Sequence, residues 1–138
     1  MGVNFKINRI QHIGLPVTDL AASELFYGRL GFVNVMAAGF NSKGGRGSVA
    51  MMQRDEMILE LYQMPGFELD EVRGRGNGHI DHVAFDVDDV DTVFAEMTAG
   101  GFKVVEAAPV FLAFWNNGCK YFNVLGPDGE RLEFNQTF

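Results

Sequence analysis

The 138-residue sequence predicts an α+β chain made of two paired βαβββ modules, and two observations carry that reading. The first is an internal repeat: HIGLPVTDLAASELFYGRLGF begins at His12, and HVAFDVDDVDTVFAEMTAGGF begins at His82, seventy residues on. The second is that each copy is followed by short alternating segments separated by glycine-containing turns.

The first module, residues 8–64, opens with an alternating strand over 12–17 that reaches Thr18-Asp19, a pair suited to starting a helix. Leu20, Leu25, Phe26 and Leu30 recur at helical spacing and form the face expected to cover a sheet. Gly31 releases the chain into strands over 33–39, 48–53 and 57–63, with the turn Gly44-Gly45-Arg46-Gly47 between the first two. The second module, residues 79–136, repeats the plan. A strand over 82–87 reaches Asp88-Asp89, and a helix follows with Val90, Val93, Phe94 and Met97 on one face. Gly101 ends that helix, and strands are expected over 103–107, 120–125 and 131–135, with a longer connection over 109–117 and the turn Gly126-Pro127-Asp128-Gly129. Residues 65–78 read as a solvent-exposed connection. Their glycines precede a strand, whereas a phosphate-cradling loop follows a strand and opens a helix.

Composition narrows the function. Eleven Lys plus Arg against 18 Asp plus Glu give a net charge of −7, and the basic residues form no stripe. A nucleic-acid partner needs such a stripe, because counterion release supplies much of the affinity, and an anionic membrane surface is disfavoured likewise. No run is long and apolar enough to cross a bilayer, and the first residues lack a signal-peptide pattern, so a cytoplasmic location is expected. Cys119 is the sole cysteine, which excludes an intrachain disulfide and a thiolate zinc site and leaves the role of a small buried residue.

Strand parity then selects four polar residues. Residues i and i+2 share a face, so Ile13, Leu15 and Val17 toward the helix turn His12 the other way, and Val83, Phe85 and Val87 do the same for His82. By the same rule Leu59 and Leu61 leave Glu60 opposite, and Leu132 and Phe134 leave Glu133 opposite. Each module therefore supplies one histidine and one carboxylate. A buried carboxylate between apolar neighbours requires a partner, and one divalent cation would serve both. Two imidazoles and two carboxylates suit Ni, Zn, Co, Mn or Fe, with positions left for substrate oxygens. His79, three residues before His82, points to the other face and is read as a surface or edge residue.

The stretches HIGLPVTDLAASELFYGRLGF, MILELYQ, HIDHVAFDVDDVD and GPDGERLEF together make the whole chain resemble the vicinal oxygen chelate superfamily, which includes glyoxalase I, extradiol dioxygenases and methylmalonyl-CoA epimerase. The resemblance implies a single domain over residues 1–138, a mixed sheet curled around a metal cavity, a homodimer, and metal ligands at His12, Glu60, His82 and Glu133. Dioxygenases of the superfamily use two histidines and one glutamate, and the epimerase has glutamine where this chain has Glu60. Glyoxalase I has glutamate there, so the resemblance points to lactoylglutathione lyase-like chemistry. Pro16 and Met64, however, stand where bacterial glyoxalase I carries an arginine and an asparagine toward glutathione. Neither can make those contacts, so a different small substrate is expected.

The expected reaction is proton abstraction beside a carbonyl, with the ene-diolate charge stabilised by the cation. Glu133 is the principal base by resemblance, and Glu60 is the second carboxylate. Arg131 and Asn135 share parity with Glu133; Arg131 either neutralises an anionic substrate or pairs with surface acids. Phe111, Phe114 and Trp115 either close over a small apolar group or cap the core. A non-haem iron extradiol-type dioxygenase and a non-catalytic small-molecule-binding protein remain the alternatives.

Overall fold

The computed structural model describes residues 2–29, 31–75, 81–125 and 131–138. Among them are nine strands and three helices in an α+β arrangement: β1 (Arg9–Pro16), α1 (Leu20–Arg29), β2 (Val33–Ser42), β3 (Gly45–Arg54), β4 (Met57–Gln63), α2 (Gly66–Arg73), β5 (His82–Asp86), α3 (Val90–Ala99), β6 (Lys103–Val104), β7 (Val110–Leu112), β8 (Cys119–Leu125) and β9 (Arg131–Thr137). The chain divides into two compact units, His12–Asp81 and a second made of Met1–Gln11 with His82–Phe138.

In the unit His12–Asp81 the strand order is β2-β3-β4-β1. β1 lies parallel to β4, with Ile13 opposite Leu59 and Gly14 opposite Glu60, and the other pairings are antiparallel. Ala50, Met52 and Leu61 form its core, with Leu15, Val17, Leu20, Tyr27, Phe32 and Leu59 packed against them. Asp19 opens α1 by accepting the Ala22 N–H at 3.0 Å, as its position in the sequence suggests. The helix, however, does not bury the expected face, since Leu25 is 74% and Phe26 55% exposed, and Leu30 lies outside the described residues. The reason is angular. Tyr27 falls two turns after Leu20, only about 20° away around the axis, whereas Leu25 and Phe26 lie far from that line. Tyr27, not counted as apolar, is the residue that packs.

The connection expected to be exposed between the modules contains α2. Its Glu68 carboxylate accepts hydrogen bonds from Ser42 Oγ and from the Gly44 N–H, both at 2.7 Å, tying the helix to the β2–β3 turn. Those two donors, Ser42 foremost, hold the Glu68 carboxyl below the usual carboxylate range.

In the other unit the order is β5-β9-β8-β6, with β7 beside β8. β5 runs parallel to β9, with His82 opposite Arg131 and Ala84 opposite Glu133. The core comprises Val87, Val90, Val93, Met97, Phe122, Val124 and Phe134, so the predicted inward face of α3 is buried, with Phe94 packed on it. Phe122 stacks on Phe134 at 5.3 Å and meets Phe94 edge-on at 5.2 Å. The two modules also start their helices alike: Gln63 accepts the Leu20 N–H at 2.9 Å, and Gln136 accepts the Val90 N–H at 3.0 Å. Gly31 and Gly101 then end them at φ 87° and 77°, a region that favours glycine.

Two expectations require correction here. The strand placed over 103–107 is only Lys103–Val104, because the Glu106 carboxylate takes both the Asn123 backbone N–H and its side-chain amide at 2.7 Å, displacing ladder pairing. The connection over 109–117 in turn contributes β7, paired with β8. The sheet is mixed, as expected, but it is not curled into closure. The strand orders end on β2 and on β6, and neither returns to pair with the strand at its other end. Closure requires end strands that share a ladder, and two-residue β6 offers almost none. The turn over 126–129 and His79 lie outside the described residues.

Candidate metal centre

The histidines and glutamates arise from the same local construction in each unit. In His12–Asp81, Gly14 faces Glu60 across the parallel β1–β4 pair, and His12 stands two residues before Gly14 on the same face. Glycine places no side chain opposite the carboxylate, and His12 Nε2 lies 3.6 Å from Glu60 Oε2. In the other unit Ala84, fully buried, faces Glu133, and His82 Nε2 lies 3.6 Å from Glu133 Oε1. A small residue opposite each glutamate and a histidine two positions earlier is thus one design used twice.

His12 is 2% exposed, His82 8% and Glu133 7%. A separation of 3.6 Å is longer than an imidazole N–H to carboxylate hydrogen bond. It does suit two ligands of one cation. Donors about 2.1 Å from a metal stand roughly 3.0 Å apart at a right angle and about 3.4 Å apart at the tetrahedral angle. His12 with Glu60 in one unit, and His82 with Glu133 in the other, each offer one imidazole nitrogen and one carboxylate oxygen as candidate ligand atoms for a divalent cation. Imidazole and carboxylate donors match borderline first-row cations.

The neighbouring side chains differ between the units. Beside Glu60, burial raises the Tyr62 phenol above its ordinary range, reinforced by the charge of Asp81, which accepts its hydrogen bond, and by the charge of Glu60. Beside Glu133, Asn135 is 4% exposed and donates from Nδ2 to Glu133 Oε2 at 2.9 Å. Arg131 is exposed and lies opposite His82 in the ladder. Phe111 is 59% exposed on β7, with its ring over Gly118, while Phe114 is buried. Trp115 holds φ at 63°, an uncommon conformation for a bulky residue. Residue patterning alone missed Gln11, which is 5% exposed and donates to Asn135 Oδ1 at 3.0 Å, as well as the Tyr62–Asp81 pair. One signal was available, since Gln11 and Asp81 immediately precede the two repeated histidines.

Met64 lines a cavity of about 460 Å³ with Leu20, Glu24, Arg46 and Gln63. Neither His12 nor Glu60 borders that space, so it is separate from that histidine–glutamate pair. Among the described residues, no helix is long and apolar enough to cross a membrane.

Comparison with known proteins agrees with this architecture. The chain is 27% identical over 128 residues to the uncharacterized protein YwbC of Bacillus subtilis, covering 93% of this chain and 97% of that one. Its fold is similar to that of hypothetical protein BH1468 from Bacillus halodurans, with a TM-score of 0.77 at 24% identity and 94% of each chain covered. It is also similar to a Streptomyces coelicolor methylmalonyl-CoA epimerase in complex with 2-nitronate-propionyl-CoA, with a TM-score of 0.78 at 23% identity and 96% of each chain covered. Methylmalonyl-CoA epimerases recur among the similar structures, so the resemblance does not single out glyoxalase I. Residues 9–134 match the family model, a span that includes both histidine–glutamate pairs, and the chain belongs to the glyoxalase/bleomycin resistance protein/dioxygenase superfamily.

Proposed function

We propose that this protein is a divalent-metal-dependent isomerase or lyase that moves a proton on the carbon beside a carbonyl group of a small substrate. The observation that carries the reading is the duplicated pair, His12 with Glu60 and His82 with Glu133, each at 3.6 Å and each built on the same register. These four residues would hold one cation. Bound there, the cation would supply Lewis-acid stabilisation of the oxyanion that develops when the proton leaves. The likeness to methylmalonyl-CoA epimerases supports the same class, since epimerisation of an acyl thioester also removes and returns a proton beside a carbonyl.

Glu133 is the principal base in this reading. Its Oε2 accepts from Asn135, and its Oε1 is the oxygen turned toward His82. The substrate C–H bond breaks, the proton passes to the carboxylate, where it exchanges with solvent, and a proton is delivered back to carbon on the product side. Glu60 is the second carboxylate available to complete the transfer. Pro16 and Met64 favour a substrate other than the glutathione hemithioacetal, because neither side chain offers a polar contact. Arg131, Asn135, Phe111, Phe114 and Trp115 are the proposed substrate-side residues.

The test is deuterium incorporation in heavy water. Metal-stripped protein is reloaded separately with Ni, Co, Zn, Mn and Fe, then given methylglyoxal with glutathione, α-hydroxycarbonyl compounds, or an α-branched acyl thioester. Metal-dependent exchange at the carbon beside the carbonyl, lost in a folded Glu133→Gln variant, is the expected result. No exchange with any substrate, together with oxygen-dependent catechol cleavage by the iron-loaded protein, would replace this reading with the dioxygenase one.

A further inference from the structure

Glu133 is approached by a chain of hydrogen bonds whose direction is set at both ends. Gln11 is 5% exposed, and its Nε2 lies 3.2 Å from Asp86 Oδ1, 3.3 Å from the Asn135 carbonyl oxygen, 3.3 Å from Thr137 Oγ1 and 3.0 Å from Asn135 Oδ1. An ionised carboxylate and a backbone carbonyl only accept, so the amide nitrogen of Gln11 must face them. Asn135 must then offer Gln11 its oxygen. That orientation points Asn135 Nδ2 at Glu133 Oε2, 2.9 Å away, and a carboxylate there again only accepts. With acceptors at both ends, one amide orientation at each residue is compatible with all of these contacts, which share the two N–H hydrogens of Gln11.

The repeat shows what occupies these positions in the other unit. Asp81 precedes His82 as Gln11 precedes His12, and Tyr62 stands two residues after Glu60 as Asn135 stands two after Glu133. Those two residues also pair, but with different chemistry: the phenol of Tyr62 hydrogen-bonds Asp81. A phenol has one proton, and here it is directed at Asp81. The same pair of positions therefore passes a donor to the glutamate in one unit and passes it to an aspartate in the other.

We infer that Gln11 is a positioning residue, acting through Asn135 to hold Glu133 in the orientation that presents Oε1 toward His82. This rests on the proposed metal reading for its functional consequence, but the orientation itself concerns only residues of one unit. Partners of this kind tune affinity because a ligand held in place loses less freedom when it binds.

The experiment follows the Asn135 side-chain amide by nitrogen-15 NMR in the metal-free full-length protein, and separately measures Zn affinity by chelator competition. Gln11→Met removes the amide at similar size, and Gln11→Glu reverses the demand by offering Asn135 only acceptors. Both variants are expected to speed hydrogen exchange of the Asn135 amide by about tenfold or more and to weaken Zn binding by about 10–100-fold. Gln11→Met added to Asn135→Ala should cause no further loss, since the first residue acts through the second. Amide exchange unchanged in whichever Gln11 variant folds would overturn the inference, as would independent, additive losses in the double variant. Absence of stoichiometric metal in the wild type would sink the metal reading instead, while the amide exchange would still decide the role of Gln11.

Discussion

Glu133→Gln should separate a metal ligand from a structural residue, because the two roles predict opposite signs in metal-free protein. Glutamine keeps an oxygen that can accept from Asn135 Nδ2, so the 2.9 Å contact survives the change. What is lost is a carboxylate charge at 7% exposure, which is costly to bury. The metal-free variant is therefore expected to melt at the wild-type temperature or above it. With metal the order reverses. A ligand at 100 times its dissociation constant stabilises the folded state by about 2.7 kcal/mol, whereas binding weakened about 100-fold leaves roughly 0.4 kcal/mol at the same concentration. For 138 residues, an unfolding entropy of about 0.29 kcal/mol/K makes these shifts about 9 °C and about 1 °C. Differential scanning calorimetry of both proteins, stripped and reloaded with Zn, measures the four melting temperatures. An equal metal-induced rise in the variant and the wild type would refute the ligand assignment, and a large loss in the metal-free variant would mark Glu133 as structural.

Two further outcomes follow from the packing. Phe122, fully buried between Phe94 and Phe134, should cost about 3–5 kcal/mol when replaced by alanine, read from urea midpoints; a cost under about 1 kcal/mol would contradict the assigned core. The Tyr62 phenol is held protonated in the folded chain well above its ordinary value of 10.0, while the unfolded chain releases its proton near that value. The unfolded state then binds fewer protons, so this contribution is fully present below about pH 10 and stability falls above it, by about 1.4 kcal/mol per pH unit. Tyr62→Phe should remove that alkaline limb, and identical slopes for the two proteins between pH 9 and 11 would contradict it.

The parts of the fold that were legible in the sequence were those governed by alternation. β4 spans the predicted residues 57–63, and parity put His12 on the face of Glu60 in one unit and His82 on the face of Glu133 in the other, as the ladder registers have it. The misplaced elements depend on contacts that alternation does not encode. The inward stripe of α1 runs through Leu20 and Tyr27, so counting Leu25 and Phe26 and leaving out Tyr27 rotated the helix. α2 is anchored by Glu68 to a turn 24 residues earlier, and β6 is cut short by Glu106, a side chain substituting for a backbone acceptor. The open sheet could not be foreseen from strand count, since closure depends on which edges pair. Gln11 was invisible to parity for a related reason: its meaning lies in Asn135, 124 residues away.

The duplication also explains why the ligand pairs and their surroundings can follow different rules. One βαβββ module produces one histidine and one carboxylate, too few donors to hold a divalent cation firmly, so in the proposed centre neither module is sufficient alone. The ligand positions are thereby constrained in both copies, down to the small residue opposite each glutamate, Gly14 in one and Ala84 in the other. Two residues farther along each strand that constraint relaxes. There the chain carries Tyr62 in one copy and Asn135 in the other, and the residue before each histidine has changed to match: an aspartate to receive the phenol, a glutamine to orient the amide. Matched changes at both members of each pair are what a hydrogen-bonded contact demands, because exchanging one member alone leaves a buried donor or acceptor unmet. In the proposed centre the two glutamates would thus share a ligand role while being supported differently, which would give proton transfer two carboxylates with distinct tasks from a single repeated plan.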